Sequence, residues 1–259
     1  MRIADTVHFD WYKKAFVTFV IAALLLASAA VTGADLSAVI TGGPQAAAFL
    51  SKFMQPDLAY IPELIDPMMR TIKMSVLGTV VGFAVAVPLA FLATTVVTRN
   101  RVVTGIVRLL LNIVRTIPTL LLAAFAVAIM GIGEFTGVVT IAIFTLGVTS
   151  QLIFETIETI DYAPIEAAEA VGATRMQIAA FSIAPQVASQ LASYFFYAFE
   201  INVRASTVLG YVGAGGIGVI LNASLGLFRY DRVSVVILVI FVVVGIVDAA
   251  SEAVRRRLA

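Results

Sequence analysis

Two ionisable side chains and an amide, Glu200, Asn202 and Arg204, stand inside an otherwise apolar stretch. A charge carried to the centre of a bilayer costs about 2.5–3.5 kcal/mol on insertion scales, so such residues face protein or water. Glu200 and Arg204 are one helical turn apart, on one face, and able to pair. Two roles are open to them. They can form a buried pair that orients their helix. Alternatively Arg204, Ser206 and Thr207 line a path and meet an anion, since a guanidinium offers an oxyanion two parallel hydrogen bonds. Arg108 and Arg115 carry a similar ambiguity between long side chains snorkelling to a surface and an electropositive inner vestibule. The run Gly213-Ala214-Gly215-Gly216-Ile217-Gly218 formally fits G-x-G-x-x-G. It follows an apolar helix rather than a strand, so a turn that packs closely or moves with a gate is the better reading than a nucleotide fingerprint. No G-x-x-x-x-G-K-[ST] occurs, so any ATP hydrolysis falls to another chain. Cysteine is absent, the single histidine, His8, lies in a polar stretch and reads as solvated, and no triad, metal cluster or catalytic carboxylate pair is legible.

The elements that position these residues follow from composition. Of the 259 residues 61% are hydrophobic and 13% charged, with a net charge of +1. Soluble domains are about half apolar and about a quarter charged, so lipid is the solvent that suits this chain. The small net charge gives no reason to expect nucleic acid. The expectation is an all-α polytopic membrane protein of about six helices: Phe16–Thr32, Thr71–Thr95, Thr116–Met130, Gly137–Phe154, Pro185–Leu209 and Val233–Ala249. The third is short, and Val102–Val114 reads as a surface helix bending into it at Pro118. Pro88 is expected to kink the second. Gly78 and Gly82 suit close helix packing. Lys13, Lys14, Arg2, Arg99, Arg101, Arg175 and Arg255–Arg257 fall on one side when both termini are cytoplasmic, which satisfies the positive-inside rule. A cleavable signal peptide is the rival reading of the first span, but Asp5 and Asp10 spoil the basic leader and the apolar run is long. Residues 1–67 form the first helix and an outer loop, with a short interfacial helix at Gln45–Phe53. Residues 68–259 form the membrane core, with a cytoplasmic loop at 161–184.

That loop reads as two short helices with a hinge. Pro164 suits a first turn, Ile165–Val171 is rich in helix formers, Gly172 can end a helix in the left-handed region, and Thr174 with Gln177 spells a capping box. Glu166-Ala167-Ala168, then Gly172 and later Pro185, resembles the EAA loop of ABC importer permeases. The resemblance implies a coupling helix seated on an ATP-binding subunit, with Glu166, Ala167, Ala168, Gly172 and Thr174 at the contact. Ser182 and Ala184 depart from the family's Ile and Leu before the proline.

Phe199–Gly210 followed by Val212–Gly218 is similar to the signature of phosphonate ABC transporter permeases, as are Arg115-Thr116-Ile117-Pro118 and Met74–Pro88. This resemblance covers roughly residues 65–250. It implies a type I-like importer permease in the bacterial inner membrane, carrying phosphonate, phosphate or phosphite. It also implies a second permease copy, two ATP-binding subunits that hold magnesium-bound ATP, an external solute-binding protein, and no cofactor in this chain. The gate or path is then expected to use Arg115, Thr116, Pro118, Glu200, Asn202, Arg204, Ser206, Thr207, Gly213, Gly215 and Gly216. Rival readings are a permease of the same architecture for methionine or another small solute, and an ion-coupled secondary transporter. The latter leaves the EAA pattern unexplained.

Overall fold

The computed structural model describes residues 11–33, 41–98 and 100–258. Arg2, Asp5, His8, Asp10 and Arg99 lie outside the described residues. Every regular element among the described residues is helical. The chain divides into two compact units, 1–52 and 53–259. The first contains α1 (Trp11–Thr32), whose residues are all unburied, and most of α2 (Gly43–Phe53).

The second unit holds the core. Its helices are α3 (Ile61–Ala93), α4 (Arg101–Thr116), α5 (Thr119–Met130), α6 (Glu134–Ile157), α7 (Ala163–Ala170), α8 (Ala184–Leu209), α9 (Ile217–Gly226) and α10 (Tyr230–Leu258). Across the two units, α1, α3, α6 and α10 are each long and apolar enough to cross a membrane. The number is six if each of the bent pairs α4–α5 and α8–α9 is one span. Counted so, the spans number the six expected, with both irregular ones built from broken helices.

The first break is the expected one. Ile117 is extended, as a residue before proline must be, and Pro118 opens α5 at 92° to α4. Asn100 starts α4 by accepting from the amides of Val102 and Val103. Gly147 lets the elbow lie on α6, where an added Cβ would meet the Arg115 backbone nitrogen at 3.3 Å.

Helix α3 differs from expectation. It begins at Ile61 rather than Thr71 and runs through Pro67 and Pro88. Pro62 sits in the first turn, where a missing amide costs nothing. Leu64 and Met68 then pack with Tyr60, Ile217, Val235 and Val236, and this burial outweighs the bond lost at Pro67. Farther along, α3 lies against α6 through Gly78 and Gly82. A Cβ on Gly78 would stand 2.6 Å from the Ile141 Cβ, and one on Gly82 would collide with the Ala142 carbonyl. The packing role expected of these glycines is the one observed.

Another cluster, including Leu111, Ile153, Ile157, Ile165, Ile178 and Ile183, joins the ends of α3, α4 and α6 to the Gly172 loop. Two ends of the core can thus be distinguished: a Gly172 end, and a Gly213 end where Leu64, Ile217 and Val235 meet.

The expected two short loop helices need correction. After α7 the chain turns at Gly172, makes one turn at Arg175–Gln177, and passes without a break through a π-helical segment, Ile178–Ile183, into α8. The wider π turn accommodates Pro185, which has no amide for the ladder. Ser182 donates to the Pro164 carbonyl at 3.2 Å, and Gln186 to the Ser182 carbonyl at 2.7 Å.

Candidate functional site

A buried polar seam runs where α3, α6 and α8 cross. Asn202 on α8 donates from Nδ2 to Thr79 Oγ1 on α3 at 2.8 Å and to Thr145 Oγ1 on α6 at 2.7 Å. One turn along, the Ser206 and Ser75 hydroxyls lie 2.7 Å apart. All five side chains are buried. Within apolar surroundings each of these hydrogen bonds replaces an otherwise unsatisfied group, and measured interhelical bonds of this type contribute about 0.6 kcal/mol on average. Asn202 Oδ1 is buried without a partner. The seam therefore places Asn202 and Ser206 between helices rather than on an open surface. Ser75 and Thr145 were not singled out from sequence, and Thr79 only as part of the Met74–Pro88 resemblance. The available signal was the four-residue step Thr71, Ser75, Thr79 beside Gly78 and Gly82 on one face of α3.

On either side of Asn202 along α8, Glu200 and Arg204 pair as their spacing predicts, at 2.5 Å. The structure adds two partners from α10. Arg255 reaches the other Glu200 oxygen at 3.3 Å, and Asp248 stands 3.5 Å from Arg204. Glu200 is 10% exposed and Arg204 50%, so one buried carboxylate anchors two arginines, one of them open to its surroundings. Thr207 turns back to the Arg204 carbonyl at 2.7 Å.

Arg108 and Arg115, ambiguous in sequence, separate here. Arg108 donates from Nε to the Ala93 carbonyl at 2.7 Å, pairs with Glu158 and lies over the Phe154 ring. It ties the end of α3 to the end of α6 and is structural. Arg115 instead faces an open hollow of 560 Å³ lined by Asn112, Thr116 and Gln151, and donates to the Gln151 Oε1.

The Gly213 turn is packed rather than free. Gly213, Gly215 and Gly216 all have positive φ, at 87°, 86° and 75°. Gly218 and Gly210 abut backbone to backbone, and a Cβ on Gly215 would stand 2.9 Å from Glu134 Cγ. The Ile217 amide, first of α9, donates to Thr71 Oγ1 at 2.8 Å. Across the same end, Arg70 bridges Asp66 at 2.8 Å and Glu134 at 3.0 Å.

At the opposite end, Gly172 takes φ 78° and Thr174 forms the full capping box with Gln177. Arg175 pairs with Glu169 at 3.3 Å across the turn. Glu166 and Ala167 are exposed and Ala168 is half-buried. Val171, Met176 and Phe181 are 84%, 79% and 80% exposed; Val171 and Phe181 line a cleft of 380 Å³ together with Ala168 and Gly172.

Comparison with known proteins adds four findings. Residues 86–259 match the family of binding-protein-dependent transport system inner membrane components. The chain is 37% identical over 246 residues to the phosphite transport system permease protein PtxC of Stutzerimonas stutzeri, covering 95% of this chain and 90% of that protein. It is 33% identical over 196 residues to the phosphate-import permease protein PhnE of Mycolicibacterium smegmatis, covering 76% of this chain and 37% of the relative. In fold it is similar to an inward-facing MetNI methionine ABC transporter, with a TM-score of 0.70 at 23% identity over 78% of this chain and 99% of that one.

Proposed function

The chain belongs to the family of binding-protein-dependent transport system inner membrane components, and from that premise we propose that it forms the gated path through which an ABC importer admits phosphite or a related phosphorus oxyanion. The observation that carries the cargo class is the 37% identity to a phosphite permease across nearly the whole of both chains. The resemblance of Phe199–Gly218 to phosphonate permeases supports the same class. The methionine alternative has only a likeness of fold in its favour, at 23% identity.

In this reading the Gly172 end is cytoplasmic, as are both termini. Glu166, Ala167, Ala168 and Gly172 meet an ATP-binding subunit that carries the magnesium-bound nucleotide. The exposed Val171, Met176 and Phe181 are what such a contact would cover. Thr174 fixes the direction in which the chain leaves that contact. A second permease copy faces the first across the path, and an external solute-binding protein docks at the Gly213 end. Gly213, Gly215 and Gly216 shape the turn there. Arg204, open on one side and tethered to Glu200 on the other, is a cation within its span that an anion can reach, while Asn202 and Ser206 hold its helix in register.

The test is uptake by the complete complex in proteoliposomes with labelled phosphite, phosphonate and phosphate. Import of at least one, dependent on ATP and on the binding protein, is the expected result. Import of methionine or another solute lacking phosphorus, with none of the three carried, would refute it.

A further inference from the structure

The hollow at the α4–α5 elbow holds a guanidinium with no carboxylate partner among the described residues. Arg108, Arg204 and Arg255 on the neighbouring helices are each paired to an acid. Among the described residues Arg115 has only the neutral Gln151 amide oxygen. Its remaining N–H groups, and the Asn112 amide three residues earlier on the same helix face, border the 560 Å³ of open space. Thr116 spends its proton on the Ile113 carbonyl at 2.8 Å, so donors to a ligand must come from Arg115 and Asn112. Gln151 is used at both ends, since its Nε2 donates to Glu155 at 2.5 Å. A carboxylate thus stands one amide away from the cation without neutralising it.

We infer that this hollow is the exit subsite for the anion, where Arg115 and Asn112 receive a tetrahedral phosphorus oxyanion and Glu155, held off by Gln151, keeps its affinity low. The inference rests on the cargo reading above. A guanidinium suits such an anion because it presents two parallel donors. A weak site is what conduction needs, because a ligand held tightly at the last station does not leave. Like charge on Glu155 lowers the affinity, and the amide between them keeps Arg115 available.

Natural absence of cysteine in this chain makes the test clean. Thr116→Cys in the complete complex, assembled with cysteine-free partners, is exposed to an anionic and a cationic methanethiosulfonate from the Gly172 side of inside-out vesicles. The anionic reagent should react faster, and millimolar phosphite should slow it. Arg115→Gln should lower the anionic-to-cationic rate ratio about tenfold, since one nearby unit charge acts oppositely on the two reagents. Arg115→Lys should retain the ratio. Glu155→Gln leaves the guanidinium in place and should shift phosphite protection to lower concentration. An unchanged ratio in Arg115→Gln, or unchanged protection in Glu155→Gln, overturns the subsite. A complex that imports phosphite but shows no protection overturns it too. A complex that imports none of the phosphorus oxyanions overturns the cargo, and with it the ligand named here, whatever the reagent ratio.

Discussion

Glu200 is the residue on which the charge balance of the core turns. It is nearly enclosed and answers to two guanidiniums, whereas Arg204 answers to two carboxylates and is half open. The two single replacements should therefore be unequal. Glu200→Gln leaves Arg255 without its acid and Arg204 with Asp248 alone, at a cost below the roughly 3–5 kcal/mol of a fully enclosed survivor because both arginines are partly exposed. Arg204→Gln leaves Glu200 still bound to Arg255, and an exposed partner contributes about 0–1 kcal/mol. In detergent, thermal unfolding of Glu200→Gln should fall well below that of Arg204→Gln. The double variant should recover only in part, because Arg255 remains without its acid. Equal losses, or full recovery, would contradict the four-membered arrangement. The pair itself was legible in sequence because i and i+4 share a helix face. Asp248 and Arg255 were not, since they come from a helix that begins many residues later and no spacing rule links the two. The same holds for Thr79 and Thr145, whose hydroxyls look like ordinary small residues until Asn202 is placed between them.

Helices were legible where hydropathy alone decides, and less so where packing competes with local chemistry. The six apolar stretches and the elbow at Pro118 could be read from the sequence. The early start of α3 could not, because two prolines argue for a loop and only the burial of Leu64 and Met68 overrules them. The π segment was hidden for the converse reason: a capping box and a proline look like two helix starts, and only the structure joins them. The α3–α6 contact yields a graded prediction. Gly78→Ala and Gly82→Ala place a methyl against Ile141 and the Ala142 carbonyl, an overpacking that costs about 1–3 kcal/mol. Gly105→Ala and Gly245→Ala meet nothing within 4 Å, and there the stiffer residue should raise stability by about 0.4–1 kcal/mol. Detergent melting of the four variants checks the contrast, and a drop of equal size in all four would show that α3 and α6 are not in close contact.

At the scale of the whole molecule, the helix that leaves the loop at Gly172 and the one that carries Arg204 are one piece of backbone. A Cβ at Gly172 meets nothing, so its only constraint is the left-handed φ. Gly172→Asn should be tolerated, because asparagine enters that region readily, whereas Gly172→Val should not. Co-purification of the ATP-binding subunit and phosphite uptake should both survive in the first variant and fall together in the second, while insertion of the spans is unaffected in either. Normal uptake by Gly172→Val would separate the turn from coupling. From Arg175 to Val212 the helix is unbroken, a rod of about 55 Å at 1.5 Å per residue. Under the proposed coupling such a rod would behave as a crank. A push at one end would arrive at the other without passing from side chain to side chain, and the π turn near the Gly172 end is a place where its pitch departs from α. Winding that turn tighter by a single residue would rotate everything beyond it by about 100°, so a small change of pitch beside the loop is, for Asn202 and Arg204, a change of compass bearing.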